Sequence, residues 1–124
     1  MLTLLQYPII DVKHDKWLHV IHVYKREIKL ISTDLLDFTP TFYNRKFSKK
    51  QNILSNKIRE LTDKINHLEL MMHVYVNDIE QLVDNPSPDL RKKTETAYDL
   101  IKIGLIESTD AFIEIERDFA DFVA

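Results

Sequence analysis

The stretch LSNKIRELTDKINHLELMMHVYVNDIEQL, residues 54–82, decides the fold. Leu54, Ile58, Leu61, Ile65, Leu68, Met72, Tyr75, Ile79 and Leu82 recur in it at alternating steps of four and three. That spacing lines them along one side of an α-helix, a seam of coiled-coil type. No Gly or Pro interrupts the pattern, so a helix over 48–84 forms a rod of roughly 50 Å at 1.5 Å per residue. In the middle of the rod, HLELMMHVYV from His67 to Val76 is apolar off the seam as well. Leu70, Met71 and Val74 lie on the far side of the helix, where a single seam cannot bury them. They predict a contact surface for a partner, the simplest being a second copy of the chain in a homodimer.

Working outward toward the C-terminus, Asp84, Asn85 and Pro86 break this helix. Ser87, Pro88 and Asp89 then supply a cap, a preset first position and a carboxylate at the positive end of the next one. Its stripe runs through Ala97, Ile101, Gly104, Ser108, Phe112, Ile115, Phe119 and Phe122, predicting a helix over 88–122 with an unusually small middle. Toward the N-terminus, Ser48 with Gln51 fits a capping box that starts the central helix. TPTFYNRKF, residues 39–47, reads as a loop. Before it, Ile10, His14, Trp17, Ile21, Tyr24, Ile28, Ile31, Leu35 and Phe38 form another four-three stripe. A helix over 10–38 follows, capped by Asp11 and ended by Pro40, whose ring disfavours helical backbone in the residue before it. A second apolar line on it, Val12, His19, Val23 and Leu30, offers another contact surface. The opening MLTLLQYPII lacks the basic flank and cleavage site of a signal, and it is too short to span a bilayer. Residues 1–9 are expected to be an apolar arm that packs on the domain and competes with a second subunit for Leu70, Met71 and Val74.

The fold class is therefore all-α, a single-domain up-down-up antiparallel bundle of three long helices. Short connections favour antiparallel neighbours, and one Gly with four Pro in 124 residues leaves few turns to make. Charge supports the same arrangement. Residues 39–59 carry six basic and no acidic side chains, and residues 104–124 carry six acidic and one basic. Each group sits at the helix end that its own dipole disfavours, and the bundle brings the two ends together. Arg91, Lys92 and Lys93 are likewise placed beside Asp78, Glu80 and Asp84. The same folding sets His14 and Trp17 level with Leu68 to Tyr75 and with Ala97 to Gly104, and it predicts that Trp17 fills the space beside Gly104.

The composition narrows function more than it specifies it. Without cysteine there are no disulfides, no thiolate metal sites and no cysteine nucleophile, and cytoplasm is the default compartment. A net charge of −3 implies neither a polyanion nor a membrane partner. There is no glycine-rich phosphate loop, no nucleophile context and no inward-facing carboxylate pair on the apolar stripes, so the chain does not read as an enzyme.

Two alternatives remain. The motif IDVKHDKWLHVIH, residues 10–22, resembles the first-helix motif of hemerythrin-like proteins, in which a histidine ligates a di-iron site. That likeness would carry over only to His14. The family's other ligands are missing, because Met71 follows His67, Asn77 follows His73 and the third helix has no histidine. Apart from that family, His14 and His73 with Glu69 could still hold a metal or small ligand, Glu69 and His73 sharing a face at i, i+4. The more economical reading is of histidines that donate to ordinary acceptors, with no cofactor. The second alternative is a nucleic-acid surface made by Arg45, Lys46, Lys49, Lys50, Lys57 and Arg59, beside Phe42, Tyr43 and Phe47. It requires those cations to be unpaired, whereas the charge reading pairs them with the acidic C-terminal segment. Finally, HDKW at His14, VYKREIK at Val23 and the Ile58, Leu61, Ile65 spacing are similar to small bacterial helical proteins with no assigned activity. Those positions are packing residues, and the resemblance implies a fold rather than an activity.

Overall fold

The structure is a computed structural model, which describes the backbone of residues 7–37 and 45–124 and the side chains of 16–37 and 48–124. Three helices account for it: α1 (Tyr7–Asp37), α2 (Arg45–Asp84) and α3 (Pro88–Val123). They pack as a three-helix bundle with no strand among the described residues. The central helix α2 carries most of the packing, against α3 on one side and α1 on the other, while α1 and α3 touch least.

All nine residues of the α2 seam are buried, from Leu54 to Leu82. They meet Ile21, Ile28 and Leu35 of α1 and Ile101, Phe112 and Ile115 of α3. One aromatic cluster fixes the three helices at a common level. The Trp17 ring lies 5.5 Å from Tyr98 and 6.1 Å from Tyr75, centre to centre. Further along, Tyr24 of α1 stacks on Phe112 of α3 at 4.7 Å and shares a 2.8 Å hydrogen bond with Thr109. Each ring thus buries apolar area and fixes an angle between neighbouring helices.

Trp17 does not occupy the space beside Gly104. A methyl group built on Gly104 would come within 2.4 Å of Leu68 Cδ2, so the missing side chain admits Leu68 of α2. The tight approach belongs to the α2–α3 seam, the closer of the two α2 contacts. Trp17 packs more than a turn away along α3, against Tyr98, since Leu68 already fills the place beside Gly104.

Four helix ends can be set against the expected ones. First, α1 starts at Tyr7, so residues 7–9 are helix rather than arm, and Asp11 is inside the helix rather than at its cap. Second, α1 is described to Asp37, and the expected last residue, 38, lies outside the described residues. Third, α2 starts at Arg45, which makes residues 45–47 helical and leaves Ser48 within the helix, so the capping box does not form. Gln51 serves the neighbouring helix instead: its Nε2 donates at 3.1 Å to the Leu35 carbonyl in the last turn of α1. That carbonyl is one of the four that a helix C-terminus leaves without an intrahelical donor. Fourth, α3 continues to Val123. At the start of α3 the expected cap is present, with the Leu90 amide donating to Ser87 Oγ at 3.4 Å behind Pro88.

Charges are matched across the bundle in the expected sense. Lys57 reaches Glu114 at 2.9 Å and Asp118 at 2.7 Å, Lys64 pairs with Glu107, and Lys93 pairs with Asp78 at 3.0 Å. The exposed pairs of Lys57 and Lys64 contribute about 0–1 kcal/mol each. Their larger effect is on topology, since reversing the direction of α3 would set these acids against acids.

Candidate functional site

Leu70, Met71 and Val74 project from α2 toward the outer edge of α3. The two helices leave a groove of about 540 Å³ there, with an apolar floor built by these three residues, Ala97 and Leu100. Met71 is half-buried in it, while Leu70 is 61% exposed, Val74 46% and Leu100 51%. Asp78 and Asp89 with Lys92 and Lys93 stand at one end of the groove. Below Leu100, Ile103 continues the apolar surface along α3 at 53% exposure. Leu100 and Ile103 were not among the residues expected from the sequence, because they lie off the α3 seam. The signal that could have found them is the one that marks Leu70 on α2: large apolar residues in excess of a single stripe.

The alternative contact line on α1 is weaker. Val23 is half-buried and Leu30 is exposed. The side chain of Val12 lies outside the described residues.

The candidate metal ligands are only partly placed. His14 lies in α1, one turn before Trp17, and its side chain is outside the described residues. His73 is exposed on α2. Glu69 faces α1 and is engaged there: Lys25 Nζ donates to its Oε1 at 2.8 Å, and His22 Nε2 lies 3.4 Å from its Oε2. The Lys25 hydrogen bond holds the Glu69 carboxyl below the ordinary glutamate range, against the opposing effect of burial. Glu69 therefore works as an ion-pair partner joining α1 to α2. Among the described residues, no group of three or more histidine and carboxylate side chains is positioned to hold a metal.

The basic segment divides in two. Lys57 is taken by Glu114 and Asp118, and its hydrogen bond to Asp118, then that to Glu114, raises its pKa above the ordinary lysine value. Lys50 lines a hollow together with Asp118 and Asp121, so its field is opposed locally by acids. Lys49 and Arg59 are exposed. Side chains 39–47, including Arg45, Lys46 and the aromatic residues beside them, lie outside the described residues. A phosphate-tracking surface needs several free cations in a row, and Lys57 in the centre of this one is committed.

No family model, curated protein or solved structure matches the chain. No described helix is long and apolar enough to cross a membrane.

Proposed function

We propose that the protein is a cytoplasmic interaction module that acts by binding rather than by catalysis, and that its partner is a second copy of itself. The apolar surface formed by Leu70, Val74 and Leu100 around the α2–α3 groove carries this reading. Large aliphatic side chains left about half exposed or more at adjacent positions on two helices lose hydration cost on association, at about 25 cal/mol per Å² buried. The groove is also positioned for binding, being set on rigid helices instead of loops. It surpasses the α1 line as an interface because it offers depth as well as apolar area.

Sedimentation velocity across a concentration series tests the proposal. A reversible dimer is expected, weakened about tenfold or more by Leu70→Asp combined with Val74→Asp, while far-UV circular dichroism stays unchanged because both positions are exposed in the single chain. A monomer at all concentrations for the unaltered protein would overturn it.

A further inference from the structure

We infer that the second copy seats antiparallel, α3 against α3, with a two-fold axis passing between Leu100 and Ile103. The inference rests on the self-association proposed above and adds its geometry. The contacts between Leu68 and Gly104 and between Asp78 and Lys93 set the register of α2 on α3. They put Leu70 and Val74 level with the residues around Leu100, so the exposed apolar patch is short and centred there. An unpaired charge stands on either side of that centre. Lys92 lies toward the start of α3 and Asp110 toward its end, while Lys93 is taken by Asp78 and Glu107 by Lys64.

The spacing is nearly symmetric. Lys92 precedes Leu100 by eight residues, and Asp110 follows Ile103 by seven, which is about two helical turns in each direction. A two-fold axis between Leu100 and Ile103 therefore lays each Leu100 against the other copy's Ile103. The same rotation brings Lys92 to the other copy's Asp110, twice over. An isologous interface requires this self-complementarity of one patch, and a parallel pairing would set lysine against lysine and acid against acid. Lys92 and Asp110 are exposed, and neither has an ion-pair partner among the described residues. Both are available for a contact outside the chain.

Reversing the charges one side at a time tests the geometry. Lys92→Glu in one variant, and Asp110→Lys in another, should each weaken self-association about tenfold at low salt, since like charges then meet at both ends. Mixing the two variants should restore a heterodimer of about wild-type affinity, because glutamate then faces the introduced lysine at one end and the original lysine faces Asp110 at the other. As a second readout, Leu100→Cys with Ile103→Cys in this cysteine-free chain should oxidise to a covalent dimer, the paired Cβ atoms lying within disulfide reach. If the unaltered protein dimerises but mixing restores nothing and the cysteines do not link the copies, the antiparallel geometry is wrong while self-association stands. A monomeric unaltered protein would overturn both.

Discussion

Gly104 and Ser108 are the two positions where single residues set the spacing of the bundle. Both are buried on the face of α3 that meets the core, and their small size lets the helices close. At Gly104 two effects compete. Alanine would gain about 1 kcal/mol of helix propensity, but its methyl would strike Leu68, a side chain enclosed in the core, and overpacking costs about 1–3 kcal/mol. We expect Gly104→Ala to be destabilising by about 1 kcal/mol in urea unfolding, and less so when Leu68 is shortened to Val. A more stable Gly104→Ala variant would mean that Leu68 has room to turn aside. Ser108 presents the reverse case, because its buried Oγ has no hydrogen-bond partner. Replacing it with Ala removes an unsatisfied hydroxyl and improves helix propensity, so Ser108→Ala should raise stability by about 1 kcal/mol. A loss of stability there would point to a hydrogen bond that the hydroxyl makes in solution.

The three helices were legible in the sequence because each seam is periodic and each seam residue is large. On α2 every member of the four-three series is buried, and the break at Asp84 to Pro86 with the cap at Ser87 fell where local chemistry placed it. Helix starts were harder to read. The capping-box pattern at Ser48 and Gln51 is a local signal, and a tertiary contact outweighed it: Gln51 turns to the end of α1 while α2 begins a turn earlier. This gives a prediction for an element boundary. Gln51→Ala should cost about 0.5–1.5 kcal/mol, the net value of one hydrogen bond, and the loss should appear as fraying of the last turn of α1 in hydrogen exchange. Fraying at the start of α2 instead would restore the capping-box role. The candidate surface was half legible for a related reason. Periodicity identifies the best stripe on a helix, so Leu70, Met71 and Val74 stood out where α2 was apolar all round. Leu100 and Ile103 are scattered among charges on α3, and only the packing of two helices shows that Leu100 lines the same groove. Trp17 shows the limit of periodicity: levels along the bundle were readable, but which side chain fills the space beside Gly104 was not.

At the scale of the whole molecule, the burial is unequal, and this should order the way the bundle opens. Nine seam residues of α2 are buried, but α1 contributes only Ile21, Ile28 and Leu35 to the fully buried core among the described residues. Its remaining attachments are half-buried, among them Trp17, Tyr24 and Ile31, or lie at the surface, as in the Lys25 to Glu69 pair. The α2–α3 pair is held by the Leu68 and Gly104 approach, by Ile101, Phe112 and Ile115, and by the ion pairs of Lys57, Lys64 and Lys93. Detaching α1 thus exposes less apolar area than separating α2 from α3, and local opening follows the smaller cost. Native-state hydrogen exchange should find amides of α1 exchanging by sub-global opening, with free energies a few kcal/mol below those at the centre of α2 and in the facing half of α3. If the α2–α3 interface is also where two copies meet, raising protein concentration should slow exchange around Leu70 and Leu100 and leave α1 nearly unchanged, since association adds stability only to what it covers. Uniform protection of all three helices would instead make the bundle a single cooperative unit, with α1 bound as firmly as α3.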